Sequence, residues 1–276
     1  MTPLLAVRSG EAELATHVRG AGAPVVFLHA GVADGRMWSA QVAAVGADGS
    51  GYRAAAYDRR GFGHSVHVDE PWSQVGDLVR VLDAVAGTTP AVLVGCSQGG
   101  RIALDAALAM PARVRALVLV APAISGAPDV TEVPPAIQAW IEAVERAEAE
   151  ADVDRINALE AHAWLDGPLA PEGRVTGPVR ELFLEMNGIA LRAERRGTEA
   201  PPPPAYDRLH EIAAPALVVW GDLDFPHIAQ HCETLVGRLP RAHAQRMPGT
   251  AHLPNLEQPD EFNRLLLDFL ARHVAR

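Results

Sequence analysis

Ser97 stands in the stretch Gly95-Cys96-Ser97-Gln98-Gly99-Gly100, between an apolar run from Ala91 to Val94 and an alanine-rich run from Gln98 to Met110 that Pro111 stops. The first run reads as a short buried strand and the second as a helix, so the G-x-S-x-G spacing falls on a strand-to-helix reversal, the setting of a nucleophilic serine. A reversal within one residue crowds the backbone around that serine and drives it into sparsely populated φ/ψ space, so the positions two to either side must lack bulk. The hydroxyl would then sit at the carboxyl edge of a sheet, with the amino end of the helix beneath any negative charge that develops there. The plainer alternative is a glycine-rich turn with a serine in it by chance, which leaves the flanking strand and helix unexplained.

A serine hydroxyl is a weak nucleophile without a base, and the base needs an acid to orient it. Both follow, in the order serine, acid, histidine. Gly221-Asp222-Leu223-Asp224 puts two carboxylates directly after an apolar strand, Ala216 to Trp220, and Gly249-Thr250-Ala251-His252 puts a histidine in a turn before the final helix. Asp222, next to Gly221, is placed to bond amides of its own turn, whereas Asp224 is far enough past the strand to reach the His252 loop. An oxyanion hole needs two donors: the Gln98 amide that follows the nucleophile, and an amide from the loop after an early strand. His29-Ala30-Gly31 is that loop, and Gly31 suits close backbone approach; a simple tight turn is the alternative reading there.

These residues need a scaffold. An edge strand over Leu14–Arg19, buried strands at Val25–Leu28, Tyr52–Tyr57, Ala91–Val94 and Val114–Val120, and helices near 37–45, 73–86 and 98–110 alternate along the first part of the chain. Strands that are apolar on both faces and separated by helices imply an α/β fold, a mostly parallel sheet covered by helices on both faces. Loops at the carboxyl ends of such strands share one edge, so Ser97, Asp224 and His252 can meet. The strand pattern stops over 124–210, where runs at 134–150, 153–165 and 179–196 have helical spacing (Ile137, Ile141, Val144; Leu182, Met186, Ile189), with Pro201–Pro204 as a stiff connector. A core domain over 1–123 and 211–276, with a helical cap at 124–210 inserted after the sixth strand, is therefore expected; a disordered insert is the alternative. Alternation resumes with a strand at Ala216–Trp220, a helix at Ile228–Val236, a strand at His243–Met247 and a helix at Pro259–His273.

Composition narrows the chemistry. The 276 residues carry a formal net charge of −10, which disfavours nucleic acid and anionic membrane as partners. There is no lysine; every basic side chain other than histidine is arginine, which removes Schiff-base chemistry, a Ser-Lys dyad and a P-loop. Cys96 and Cys232 make no disulfide framework. The first residues lack a secretory pattern and no apolar run reaches the length of a membrane span, so a reduced, cytoplasmic setting is expected. His227 and His231, at i and i+4, look like a metal pair, but no glutamate stands between them and no third ligand suggests itself; a solvated helix face is the better reading, and no metal is expected. Asp58–Ser65, with His64 and nearby His67, reads as a structural turn because it lacks phosphate-loop spacing.

The segments at His29-Ala30-Gly31, Asp58-Arg59-Arg60-Gly61-Phe62-Gly63-His64-Ser65, Gly95–Gly100, Gly221–Asp224 and Gly249–Pro259 together resemble the α/β-hydrolase superfamily across essentially the whole chain. Within it the chain looks most like small capped esterases and enol-lactonases related to 3-oxoadipate enol-lactonase, and like the meta-cleavage C–C hydrolases. Two positions depart: the usual His-Gly loop reads His29-Ala30, and the usual methionine or histidine after the nucleophile is Gln98. The resemblance places Asp224 at the superfamily's G-x-x-D position. It implies acyl transfer through an acyl-enzyme on Ser97, with His252 moving the proton, no cofactor, and an ester or lactone substrate of small to medium size and largely apolar character; a homodimer is allowed. A serine nucleophile disfavours haloalkane dehalogenase and epoxide hydrolase chemistry, whose relatives use aspartate. C–C hydrolysis or lyase chemistry, and a ligand-binding receptor with a vestigial triad, are the other readings. Trp38, Trp164 and Met186 are the expected substrate contacts, with Trp140 and Phe183 as further candidate walls, although each can equally be core. Arg192, Arg195 and Arg196 could hold a substrate carboxylate or simply solvate a helix.

Overall fold

The computed structural model describes residues 4–274. Eight strands form one sheet: β1 (Leu4–Ser9), β2 (Ala12–Gly20), β3 (Ala23–Leu28), β4 (Tyr52–Tyr57), β6 (Ala91–Cys96), β7 (Val114–Val120), β9 (Ala216–Gly221) and β10 (Ala242–Met247), in the order β1-β2-β4-β3-β6-β7-β9-β10. The β1–β2 and β2–β4 pairs are antiparallel and all the others parallel. Two-residue strands β5 (Pro71–Trp72) and β8 (Thr198–Glu199) pair separately. The edge strand is β1, not the Leu14–Arg19 segment. Its pattern is weak because Leu4 and Leu5 are exposed, so apolar character there does not report a buried face.

Alternation along the strands feeds two cores. Val26, Leu28, Ala55, Leu93, Leu117 and Leu119 point to one face, where they pack with α2 (Gln74–Ala86), α3 (Gln98–Ala109) and α7 (Pro226–Arg238). Val25, Phe27, Ala54, Val92, Val118 and Val120 point to the other, against α1 (Ser39–Val45) and α9 (Pro259–His273), which follows the one-turn α8 (Pro254–Glu257). Burial on both faces is why these strands read as continuous apolar runs. Asp34 caps the turn before α1 by accepting from the Arg36 amide, and Ser73 caps α2 by accepting from Gly76.

Between β7, the sixth strand of the main sheet in chain order, and β9 lie α4 (Pro135–Ala149), α5 (Val153–Glu160) and α6 (Pro178–Arg192). The run expected as one helix to Leu165 changes at Ala161 into a π-helical turn, Ala161–Asp166, and α6 ends at Arg192 rather than Arg196. Ala161, Leu165, Phe183 and Met186 join the α1/α9-side core, so this insertion is packed onto the sheet domain.

Candidate active site

The chain passes from β3 outward to β4 and then returns to place β6 on the other side of β3, so the carboxyl ends of β3 and β6 flank a topological switch point. Leu28 pairs with Gly95, which sets the His29–Gly31 loop beside Ser97 and Gln98. Ser97 has φ +53° and ψ −114°, one of three non-glycine residues with positive φ among those described. Its amide donates to the Val120 carbonyl, and its carbonyl accepts from the Arg101 and Ala123 amides. The flanking glycines are needed for the reason their spacing suggested: a Cβ on Gly95 would lie 2.3 Å from the Gly99 carbonyl oxygen, and one on Gly99 would lie 2.2 Å from that of Leu28. Cys96, behind the serine, is fully buried; burial pushes its thiol well up, and Sγ faces the His252 carbonyl at 3.6 Å.

His252 Nδ1 lies 2.8 Å from Asp224 Oδ2, and both side chains are 1% exposed. A carboxylate only accepts, so the imidazole proton sits on Nδ1 and leaves the Nε2 lone pair free. Asp224 Oδ1 accepts the Phe225 amide at 2.7 Å, which fixes the carboxylate plane. Asp222 bonds the amide of Gly249 at 2.7 Å, so it anchors the neighbouring loop rather than its own turn. Glu257 and Arg174 hold that loop from the other side. Glu257 Oε1 accepts from Ala251 and Oε2 pairs with Arg174 Nη2 at 2.5 Å, while Arg174 also donates to the carbonyls of Gly249, Leu165 and Asp166. The His252 loop is thereby tied to the π-helical turn that carries Trp164, whose ring lies 4.6 Å from the imidazole.

Ser97, His252, Gly31, Gln98 and Trp164 line one cavity of about 790 Å³. A larger hollow, of about 1210 Å³, lies against the β1–β2 hairpin and has no serine, cysteine or histidine in its wall, so size alone does not mark the site. Trp38 and Met186 are not in the cavity wall. Trp38 is enclosed between Phe27 (5.4 Å) and Phe262 (6.0 Å), and Met186 is fully buried in the same core, which corrects the expectation that they touch substrate. Large apolar side chains are indistinguishable in sequence whether they face a cavity or a core. His227 and His231 also differ from expectation: they line this cavity instead of a solvated face, and among the described residues no third His, Cys, Asp or Glu joins them as a metal-holding group.

The residue that sequence reasoning missed is Arg59. Arg60 next to it is paired twice, with Asp77 at 2.9 Å and Glu70 at 2.6 Å. Arg59 is just as buried, yet among the described residues no carboxylate lies within ion-pair distance of it, and its Nε has no partner. Its guanidinium donates to the Ala30 carbonyl and to Gln98 Oε1, stands over the Phe62 ring at 4.5 Å, and lines the cavity. Burial pushes its pKa down to about 10, offset in part by Tyr57, with Arg101 lowering it further. Arg60, Arg101, Arg195 and Arg196 line the same cavity against Glu160 and Glu199, so the walls are more cationic than a largely apolar substrate would need.

His29 sits under this arrangement with both nitrogens used. Nε2 accepts the Arg59 amide at 3.0 Å and Nδ1–H donates to the Ala30 carbonyl at 2.7 Å. Burial, with Arg59 adding to it, holds its pKa well below the ordinary 6.5. Between that lowered pKa and 6.5, the unfolded chain binds a proton that the folded chain refuses. Stability is therefore complete above about pH 6.5 and falls on acidification, by about 1.4 kcal/mol per pH unit for one such group. His67, His227 and His231 are shifted in the same direction by burial. Denaturant unfolding across this range should show that slope, and His29→Asn should make it shallower by about one proton's worth.

A model of the alpha/beta hydrolase family matches residues 25–265. The 2-hydroxy-6-oxononadienedioate/2-hydroxy-6-oxononatrienedioate hydrolase of Comamonas testosteroni is 31% identical over 259 residues, covering 91% of this chain and 89% of its own. The 2-hydroxy-6-oxo-6-phenylhexa-2,4-dienoate hydrolase of Burkholderia cepacia is 31% identical over 260 residues, with the same coverage. In fold the chain is also similar to the enol-lactonase of Burkholderia xenovorans LB400, with a TM-score of 0.71, 22% identity, and coverage of 98% of this chain and 100% of that one. The chain belongs to the α/β-hydrolase family.

Proposed function

We propose that the protein is a serine hydrolase that cleaves a small to medium ester or lactone bearing a carboxylate, through an acyl-enzyme on Ser97. One observation carries this reading: a serine on a strained strand-to-helix reversal shares a cavity with a histidine whose Nδ1 is held by a buried aspartate. Ser97 Oγ attacks the carbonyl carbon while His252 Nε2 takes its proton, and the Asp224 carboxylate stabilises the imidazolium. The amides of Gly31 and Gln98 receive the developing oxyanion. Collapse of the tetrahedral adduct expels the alcohol, which takes the proton from His252, and water then repeats the sequence on the acyl-enzyme. The insertion over 124–210 acts as a cap, with Trp164 closing the cavity over the imidazole.

Arg59 supports the carboxylate. A buried cation without a counter-ion carries a desolvation cost that an anionic group on the substrate would relieve. The names of both curated relatives are those of hydrolases acting on acids of the dienoate or dienedioate type. Those names and the same Arg59 also favour a second reading, hydrolysis of a C–C bond in a vinylogous diketone acid. A panel of esters, lactones, thioesters and vinylogous diketones, each as a neutral and a carboxylate-bearing member with Ser97→Ala as blank, decides among them. Sustained turnover of one class is expected; a single covalent event without turnover would point to a receptor. In Arg59→Met the preference for carboxylate-bearing over neutral members should fall about 10–100-fold. An unchanged ratio would remove Arg59 from substrate recognition.

A further inference from the structure

We propose that the Gln98 side-chain amide is a third hydrogen-bond donor to the oxygen that becomes negative during acyl transfer, with Arg59 as the positioning residue that turns its N–H end toward that oxygen. The proposal rests on the hydrolase reading of Ser97 and adds a side chain to the two backbone donors already placed there.

Orientation comes first. Arg59 Nη1 lies 3.0 Å from Gln98 Oε1. A guanidinium has only donors, so the carboxamide must present its oxygen to Arg59, and its Nε2 is then the end left for another partner. Position comes next. A Cβ built on Gly31 would lie 2.9 Å from both Cδ and Nε2 of Gln98. Gly31 is absent from the positive-φ glycines, so no backbone strain bars a larger residue there; a Cβ would instead push the Gln98 amide out of the place it holds. The N–H₂ group is thus held beside Gly31, whose own amide is one of the two backbone donors, and Gln98 supplies the other. On this proposal two residues supply three donors. The buried charge on Arg59 acts on the far end of the same carboxamide and polarises it, which strengthens the donor at Nε2. These contacts give a physical use to the departure noted at position 98, where the resemblance has methionine or histidine. Methionine would fill the volume without donating.

The test is the second-order rate at which a fluorophosphonate labels Ser97, followed by intact mass, because the phosphoryl oxygen enters the same donors and no natural substrate is needed. Gln98→Met removes the donor, Gln98→Glu keeps an oxygen for Arg59 but puts a second acceptor where the donor was, and Gly31→Ala displaces the amide. Each should slow labelling about 10–100-fold, with Gln98→Glu the slowest, below the 10²–10³ typical of a principal oxyanion donor. The Gly31→Ala/Gln98→Met double variant should lose no more than the worse single variant, since both act on one group. Gln98→Glu keeps an oxygen for Arg59 and should hold the parent thermal midpoint, whereas Gln98→Met leaves the buried Arg59 Nη1 without that acceptor and should lower it, so the labelling rates are compared at a temperature where each variant is fully folded. A Gln98→Met rate within twofold of the parent, or single-variant losses that multiply in the double variant, overturns the proposal. Failure of the parent itself to label at Ser97 would instead overturn the hydrolase reading beneath it.

Discussion

Replacing Ser97 by alanine should lower kcat on the best substrate of the panel by about 10⁶-fold, the loss seen when the nucleophile of a comparable triad is removed. Replacing it by glycine should cost as much activity yet raise stability by about 1 kcal/mol. The difference lies in the backbone. At φ +53° and ψ −114°, any residue with a Cβ is strained, and alanine inherits that strain in full while glycine does not. The reversal therefore stores free energy, in keeping with the role proposed for the hydroxyl. Measuring kcat and the denaturant midpoint for both variants checks the two halves separately. Turnover above about a hundredth of the parent in Ser97→Ala would remove Ser97 from the chemistry, and an alanine variant as stable as the glycine one would remove the strain.

That reversal was legible because steric necessity leaves a mark on composition: the gaps of 2.2–2.3 Å around Gly95 and Gly99 permit no other residue. The parallel strands were legible for a similar reason, since burial on both faces leaves no polar position in β6 or β7 apart from Arg115. That Ser97, Asp224 and His252 can meet follows from loops at one sheet edge, and the structure brings the last two to 2.8 Å. What escaped were properties of direction. Trp38 and Trp164 are both tryptophans in apolar surroundings, but one faces α9 and the other the cavity, and no local pattern separates them.

Arg59 and Arg60 make the same point with charge. Adjacent on the chain, they point to opposite environments: Arg60 toward Asp77 on α2 and Glu70, and Arg59 toward the carboxyl end of β6 and the Gln98 side chain. Asp58–Ser65 lacks phosphate-loop spacing and so reads as a structural turn, which gives no separate role to either arginine. Most of it is structural: the Asp58 carboxylate accepts from Gly35 and His64, and the Ser65 hydroxyl ties the turn to β2. The sequence carries no signal that separates the two arginines, because acids outnumber arginines along the chain and only the fold decides which arginine each acid meets. Acids at Glu70 and Asp77 both find Arg60, which leaves its neighbour without one.

Asp224→Asn is expected to cost about 10⁴ in kcat near neutral pH, and the geometry shows why an isosteric change should do so much. Oδ1 of Asp224 accepts the Phe225 amide at 2.7 Å, so an asparagine must keep its carbonyl oxygen there. Its amide nitrogen is then turned toward His252 Nδ1, which is 2.8 Å from the oxygen it replaces. Two donors cannot face each other, so the imidazole proton moves to Nε2, the atom that should take the Ser97 proton. The base is lost although nothing has moved. Asp222→Asn provides the contrast, because its Oδ1 accepts the Gly249 amide and the asparagine oxygen can do the same. That variant should stay within about 1 kcal/mol of the parent in stability and within a few-fold in kcat. Both variants should be folded, so kcat and thermal midpoint measured side by side decide the assignment: a large kcat loss in Asp222→Asn with Asp224→Asn near the parent would give the orienting role to the other carboxylate.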